Sequence, residues 1–252
     1  IECTAMVNRY LGHTIDIHSG GFDLIFPHHE NEIAQSVCAN GAPFANYWLH
    51  NGFINVNNEK MSKSLGNFFT VRDIAEKYDY EVIRFFMLSA HYRSPINFCD
   101  ELMDEAKNGL DRIYNCIDNI EFLLGSAQSA SHGDDVTNAM DGHKEKFIAA
   151  MEDDLNTADA ISAIFEAVRF ANSLKNASKE DLECVKDTIL ELGNVLGLLK
   201  NTKKESLDEE IEKLIAERTE ARKNKDWALA DKIRDDLKAR GIVLEDTPDG
   251  VK

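Results

Sequence analysis

The sequence has few basic residues for its length, and this limits how it could bind nucleic acid. Its 252 residues include 28 Lys and Arg against 45 Asp and Glu, a formal net charge of −17. A surface that binds nucleic acid over its whole area is therefore excluded. If the chain binds RNA, we expect the contact to use local basic patches on an acidic body.

Paired cysteines and long apolar runs are also absent. No Cys-x-x-Cys pair occurs among the five cysteines, which are Cys3, Cys38, Cys99, Cys116 and Cys184. This scattering favours a reducing compartment such as the cytoplasm over a disulfide framework. No apolar run approaches the roughly 20 residues of a membrane span, and no secretory signal pattern opens the chain. We therefore predict a protein without a membrane partner.

The apolar residues that are present make up 43% of the chain, enough for a sizeable core. Up to about residue 70 their pattern mixes strand and helix signals. A helix is predicted to begin at Pro27. Residues 53–56 are predicted as a strand, with a turn at Asn57 and Asn58.

Helical spacing dominates the rest of the chain. Apolar residues recur three and four apart and predict three long helices, within 103–124, 161–168 and 182–199. Residues 126–141, rich in Ser, Gly and Asp, are predicted as a loop, and 201–205 as a linker. The predicted fold class is therefore α/β followed by a helical bundle, with a small α/β domain at the C-terminal end.

The C-terminal segment carries clear helix signals. Ser206 with Glu209 fits a capping box, and Asp226 is placed to cap a second helix. Residues 242–244 are predicted as a strand and 247–250 as a turn. The second helix carries an apolar stripe of Trp227, Ala230, Ile233 and Leu237.

Basic residues gather in the same segment. Arg218, Arg222 and Lys225 recur at three- and four-residue spacing and can line one side of a helix. Acidic residues are interleaved, so a solvated face is one interpretation. Contact with RNA phosphates is the other, and we assign it to these three residues. Trp227 follows them and could be a core residue or a stacking platform for a base. Its place on the apolar stripe favours the core.

The stretch DLIFPHHENE, residues 23–32, concentrates titratable groups at a predicted helix start. His28 and Glu32 are four residues apart and so share one helix face, while His29 points elsewhere. The spacing lets one helix supply two ligands to a metal, and Cys3 would add a thiolate. Sulfur, nitrogen and oxygen donors together suit zinc. The alternative is a simple pair between His28 and Glu32 at a helix N-terminus.

The motif KMSKS, Lys60 to Ser64, is a candidate catalytic loop. Lys60 and Lys63 can place ammonium groups on a triphosphate and stabilise the charge that develops on the leaving pyrophosphate. The motif follows a predicted hairpin and precedes a helix predicted to begin near Val71, a suitable place for a mobile loop. The alternative is a solvated loop that contains lysines by chance.

Several segments, taken in order, carry a family resemblance. They are IECTAM, DIHSGGFDLIFPHHENEIAQS, NYWLHNGF, KMSKSLGNFFTVRD, HYRSPINF and MEDDLNTADA. Together they closely resemble class I cysteinyl-tRNA synthetase, from Ile1 to Lys252. The resemblance implies four parts: the second half of a Rossmann catalytic domain (1–58), a stem-contact segment with the KMSKS loop (59–100), a DALR-like anticodon-stem helical bundle (101–200), and a small anticodon-binding domain (201–252).

The resemblance also implies roles for individual residues. They are zinc ligation by Cys3, His28 and Glu32; adenosine contact by Gly21 and Asp23; ATP contact by Lys63, with Lys60 beside it; and a place in the cysteine pocket for His18. Lys60, Lys63 and His18 are thereby expected to be catalytic. Zinc would bind the substrate thiolate, which serine cannot supply, so this discrimination needs no editing step. ATP would enter as a substrate with Mg²⁺.

Part of the family's catalytic machinery does not occur in this chain. Such enzymes carry a HIGH-type element and a fourth zinc ligand, a cysteine, upstream of the segment that begins here. We therefore expect the chain to be part of a longer protein and to be inactive alone. The implied reaction is ATP-dependent activation of cysteine to cysteinyl-adenylate and transfer to tRNA(Cys), by a monomer.

Two alternatives stay open. A related ligase joins cysteine to a glucosaminyl-inositol in mycothiol synthesis and shares the catalytic half. It needs no anticodon-binding tail, so the segment from Ser206 onward argues against it. The other alternative is a tRNA-binding remnant without catalysis, since half a catalytic constellation loses most of its effect.

Overall fold

The computed structural model describes residues 1–62, 65–125, 134–175, 177–200, 209–223, 226–239, 244, 246–247 and 250–251. The chain divides into two compact units, one formed by Ile1–Ile113 with Asp141–Glu166 and the other by Tyr114–Met140 with Ala167–Lys252. No helix within the described ranges is long and apolar enough to cross a membrane.

The first unit begins with an α/β segment built on two parallel strands. Its elements are α1 (Glu2–Tyr10), β1 (Ile15–Gly21), α2 (Glu30–Asn40) and β2 (Ala45–Asn51). In the parallel pair, His18 lies opposite Trp48 and Gly20 lies opposite His50. Because side chains alternate along a strand, these four positions share one face of the pair.

A small three-stranded sheet follows in the order β4–β3–β5. Its strands are β3 (Ile54–Val56), β4 (Glu59–Lys60) and β5 (Ile96–Phe98). Asn57 and Asn58 have positive φ values of 49° and 65°, as a two-residue type I′ hairpin turn requires. The predicted strand and its turn are confirmed.

Helices complete the first unit and form most of the second. They are α3 (Val71–Ala75), α4 (Tyr80–Leu88), α5 (Asp100–Leu124), α6 (Asp134–Glu152), α7 (Thr157–Ser173), α8 (Lys179–Val195), α9 (Glu209–Lys223) and α10 (Trp227–Ala239). A short antiparallel pair joins β6 (Asp246–Thr247) to β7 (Gly250–Val251). The apolar stripe predicted for the first long helix is buried at Met103, Ala106, Leu110, Ile113, Ile117 and Ile120. The mixed, helix-rich class predicted from the sequence is therefore confirmed.

The prediction of a loop at residues 126–141 is wrong for residues 134–141. These residues belong to α6, while 126–133 lie outside the described residues. Val136 and Met140 are both buried. Because they are four residues apart, they give this polar stretch one apolar helical face, which its Ser, Gly and Asp content conceals.

The α-helix α2 itself begins at Glu30, and a wide, π-helical turn over Ile25–His29 runs directly into it. Phe26 is the one residue of that turn with a non-helical backbone, with φ −135° and ψ 132°. The residue before a proline avoids the helical region because the proline ring crowds its backbone. Helical backbone therefore starts at Pro27, as predicted, and becomes α-helical at Glu30.

The C-terminal helices confirm the cap and most of the apolar stripe. Asp226 Oδ1 accepts a hydrogen bond from a backbone N–H in the first turn of α10 at 3.2 Å, as an N-cap does. Ala230, Ile233 and Leu237 are buried, but Trp227 is 59% exposed, so its core assignment is wrong. As the first residue of α10, it points its side chain past the helix end. The predicted linker 201–205, Ser206 and residues 242–243 lie outside the described residues, and Leu244 is not in a strand.

Gly52, between β2 and β3, lies against the loop of residues 91–95. Its N–H donates to the Tyr92 carbonyl at 2.8 Å, and a Cβ here would lie 2.5 Å from the carbonyl carbon and oxygen of Ser94. On the other side of the loop, Asp154 Oδ1 accepts a hydrogen bond from Tyr92 Oη at 2.8 Å. The loop is therefore fixed from two sides.

We predict that Gly52→Ala lowers the free energy of unfolding by about 1–3 kcal/mol, because overpacking against main-chain atoms cannot be relieved by a side-chain rotation. The control is Gly142→Ala in α6, where a Cβ would meet nothing within 4 Å. That change should stabilise the chain by roughly 0.5–1 kcal/mol, since glycine is a poor helix former. Urea unfolding measures both, and equal effects of the two substitutions would contradict the close contact at Gly52.

Candidate functional site

Cys3, His28 and Glu32 lie together although they come from different parts of the chain. Cys3 is in α1, His28 is in the wide turn Ile25–His29, and Glu32 is in the first turn of α2. One ligand atom of each lies within 4.8 Å of the other two, and His28 Nε2 is 3.3 Å from Glu32 Oε1. The structure thus brings together the three residues that the sequence predicts as metal ligands.

The burial of Glu32 indicates a metal more strongly than a bare ion pair. The residue is 2% exposed, and its Oε1 accepts no hydrogen bond from the described residues. A buried carboxylate oxygen without a donor is costly. A cation held jointly with Cys3 and His28 would satisfy it, and this set of sulfur, nitrogen and oxygen donors fits zinc.

His18 contacts the same carboxylate from β1. Its Nε2 lies 2.8 Å from Glu32 Oε2, and its ring meets the Trp48 ring edge-on at 5.0 Å. Glu32 Oε2 therefore faces His18 while Oε1 faces His28, and the contact with His18 orients the carboxylate. His18, His29 and Glu32 form a second cluster whose ligand atoms also lie within 4.8 Å of one another.

His29 is buried behind this cluster, in surroundings that the sequence analysis does not identify. Its Nδ1 lies 2.9 Å from His50 Nε2, and its ring packs against Trp48 at 5.0 Å. Burial, and then the nearby His18, lowers the pKa of His29 and so favours a neutral imidazole. The signal for Trp48 and His50 is their alternation in NYWLHNGF, which places both on the face of β2 that His18 shares in β1.

Gly20 provides the space for His29. A Cβ on Gly20 would lie 2.7 Å from Leu24 Cδ1 and 3.2 Å from His29 Nε2. A Cβ on Gly21 would lie 2.5 Å from Asp23 Oδ1. The carboxyl end of β1 therefore presents bare backbone beside Asp23, and parallel sheets bind their ligands at such ends.

The segment of residues 60–67, which starts at the last residue of β4, carries the lysines predicted to be catalytic. Lys60 places its Nζ 4.9 Å from the centre of the Phe53 ring, a cation–π distance. Asn67 closes the base of the segment, since its Oδ1 accepts from the Ser62 N–H at 2.8 Å and its Nδ2 donates to the Lys60 carbonyl at 3.2 Å. Lys63 lies outside the described residues.

The residues predicted to contact RNA differ in accessibility. Arg218 in α9 is only 5% exposed, whereas Arg222 is exposed. Lys225 lies outside the described residues. Of the three residues predicted to contact RNA, Arg222 is the one that the structure describes as exposed. The ring of Trp227, five residues further along, is also exposed.

Comparison with known families accounts for most of the chain. Residues 1–108 match the family model of the tRNA synthetases class I (C) catalytic domain, 146–200 match the DALR domain, and 204–252 match the cysteinyl-tRNA ligase anticodon binding domain. The chain belongs to the cysteinyl-tRNA synthetase family. A cysteine–tRNA ligase of Lachnospira eligens is 57% identical over 257 residues, which cover 100% of this chain and 54% of that protein. The chain therefore spans about half the length of this curated relative.

A solved structure extends the comparison to the fold. The ternary complex of Agrobacterium radiobacter LeuRS with tRNA and LeuAMS matches with a TM-score of 0.58 and 19% identity, over 73% of this chain and 28% of that chain. At this identity the match shows a shared fold alone. It agrees with the class I synthetase fold that the sequence predicts.

We predict that Asn67→Ala raises the rate of trypsin cleavage after Lys60 by roughly 5- to 30-fold. The substitution removes both hydrogen bonds at the base of the segment, each worth about 1 kcal/mol, so local opening becomes more frequent. Asn67→Asp keeps an acceptor for the Ser62 N–H and should give a smaller increase. Initial cleavage rates, followed by mass spectrometry, measure the effect, and an unchanged rate in Asn67→Ala would show that other contacts close the segment.

Proposed function

We propose that the protein to which this chain belongs is a cysteine–tRNA ligase. Cysteine and ATP would form cysteinyl-adenylate and pyrophosphate, and the cysteinyl group would then pass to a hydroxyl at the 3′ end of tRNA(Cys) with release of AMP. The observation that carries the proposal is the meeting of Cys3, His28 and Glu32 around a buried carboxylate oxygen. It is supported by 57% identity to a cysteine–tRNA ligase along the whole chain.

Zn²⁺ is the metal that this donor set fits best. Cys3, His28 and Glu32 would hold it, together with a cysteine from outside this chain. When bound, zinc supplies a ligand position for the thiolate of the cysteine substrate, which the hydroxyl of serine cannot fill, and so selects without editing. His18 keeps the Glu32 carboxylate in place, while burial lowers the pKa of His29 and so favours its neutral form behind the carboxylate.

Gly21, Asp23 and the lysines of the KMSKS segment are the proposed ATP-binding residues. Bare backbone at Gly21 leaves room for adenosine to approach β1, and the Asp23 carboxylate can accept hydrogen bonds from ribose hydroxyls. Lys60 and Lys63 would neutralise the charge that grows on the departing pyrophosphate, with the Mg²⁺ that accompanies ATP. The identity of KMSKS as the catalytic loop is part of the proposal.

The two alternatives are less well supported. The match of residues 204–252 to an anticodon binding domain argues against the cysteine ligase of mycothiol synthesis, which needs no such domain. A tRNA-binding remnant without catalysis differs from a ligase in one measurable respect, the exchange of pyrophosphate into ATP. A monomeric, cytoplasmic protein stays a prediction from the sequence.

We predict cysteine-dependent ATP–pyrophosphate exchange by the longer protein and none by this chain alone. Lys63→Ala in the longer protein should lower the exchange rate on the order of 100-fold. The KM for cysteine should change little, because the ammonium group acts on charge that grows in the transition state. The control is Lys179→Ala in α8, which removes a lysine paired with Glu183 at 3.7 Å.

The possible outcomes of this assay separate the two claims. No exchange by the longer protein under any cysteine concentration would contradict the ligase function. Normal exchange in Lys63→Ala would contradict only the role of that lysine.

We also predict that Arg222→Gln and Lys225→Gln together weaken binding of tRNA(Cys) and reduce its salt slope by roughly one to two units, because each phosphate contact contributes slightly less than one. Arg218→Gln should leave the slope nearly unchanged, since that side chain is buried. Filter binding across a salt series measures the slope, with Lys179→Gln as the control. Unchanged binding in the double variant would mean that this face is merely solvated.

A further inference from the structure

Two side-chain hydrogen bonds attach α1 to α2. Thr4 Oγ1 donates to Gln35 Oε1 at 2.6 Å, and Asn40 Nδ2 donates to Asn8 Oδ1 at 3.0 Å. Thr4 precedes Asn8 as Gln35 precedes Asn40, so the two helices run in the same direction. The two bonds therefore join the helices at two points along their length. The Thr4–Gln35 bond lies in the first turn of α1, beside Cys3.

The buried face of α1 is polar. Within α1, which the structure describes throughout, Thr4 is the one buried residue, at 5% exposure. Met6 and Tyr10 are 54% and 78% exposed and Val7 is only half-buried, so α1 gains little from burying apolar surface against α2. The two hydrogen bonds therefore contribute directly to fixing its position on α2.

That position decides where Cys3 lies. Thr4 directly follows Cys3, and Gln35 comes three residues after Glu32 on the same face of α2. A shift of α1 by one residue would turn its side chains by about 100°, which would carry the thiolate away from His28 and Glu32. The Thr4–Gln35 bond thus fixes the ligand from α1 relative to the other two.

We propose that Thr4 and Gln35 are positioning residues that hold the Cys3 thiolate at the metal site before a metal binds. The inference rests on the metal site of the proposed function and names the contact that organises it. Without this bond, the Cys3 side chain and its helix lose conformational freedom only when the metal binds. The entropy lost in that step weakens metal binding. Removing partners that hydrogen-bond a ligand directly lowers metal affinity roughly 10–100-fold, and we expect a loss of that order when the neighbour that places Cys3 loses its bond.

The test is a titration of the 252-residue chain with Co²⁺, which reports thiolate ligation through a charge-transfer band in the near ultraviolet. The unaltered chain should bind Co²⁺ with this band, and Cys3→Ser should lose the band. Thr4→Val replaces the hydroxyl by a methyl group of similar size and should lower the Co²⁺ affinity roughly 10–100-fold. Thr4→Ser keeps the hydroxyl and should restore most of the affinity.

Two further variants separate positioning from folding. Gln35→Leu removes the acceptor instead of the donor and should weaken Co²⁺ binding to a similar extent. Thr188→Val in α8 removes a buried hydroxyl that donates to the Cys184 carbonyl at 2.9 Å, and should leave Co²⁺ affinity unchanged. Circular dichroism and thermal unfolding of the metal-free proteins verify the fold. If Thr4→Val does not fold, the Co²⁺ affinity of Gln35→Leu decides whether the positioning role stands.

The outcomes distinguish this inference from the proposed function. Full Co²⁺ affinity in Thr4→Val and Gln35→Leu would overturn the positioning role and leave the metal site standing. No thiolate band in the unaltered chain, or an identical titration of Cys3→Ser, would overturn a metal site formed by the three ligands of this chain, and the positioning role with it. The exchange assay on the longer protein tests the ligase function independently of both results.

Discussion

A carboxylate that is 2% exposed needs partners on both oxygens, and Glu32 draws them from separate elements. Oε2 lies 2.8 Å from His18 Nε2 in β1, and Oε1 lies 3.3 Å from His28 Nε2 in the wide turn. Oε1 accepts no hydrogen bond from the described residues, and the Cys3 sulfur lies within 4.8 Å of a carboxylate oxygen of Glu32. The need to neutralise one buried charge thus explains why a helix, a turn and a strand all converge on it.

The parallel pair β1–β2 provides the wall behind this carboxylate. Its alternation places His18, Trp48 and His50 on one face, and His29 packs against them because Gly20 leaves the necessary space. Burial lowers the pKa of His29 and so favours its neutral imidazole beside Glu32. A neutral ring here adds no charge that would compete with a cation for the carboxylate.

The sequence predicts the local features of this site better than its long-range contacts. The four-residue spacing of His28 and Glu32 predicts their contact correctly, because the wide turn runs directly into α2 and places them on adjacent turns. The contact of His29 with His50 depends on the pairing of two strands, which single-residue spacing does not encode. Trp227 shows a further limit of prediction from the sequence. Its periodicity correctly places it in line with the apolar stripe, but periodicity cannot show whether another element covers that position, and here the ring is 59% exposed.

The close approach at Gly52 has a mechanical consequence. His50 lies two residues before Gly52, whose backbone touches the 91–95 loop directly. That loop is joined through Arg93 Nη2, at 2.9 Å, to Asp154 in the turn between α6 and α7. Asp154 has a φ of 55°, a left-handed conformation that leaves the turn few other shapes. The contact at Gly52 is made by main-chain atoms, which cannot rearrange as side chains do, so a displacement of the 91–95 loop would be passed on to the end of β2 that carries His50.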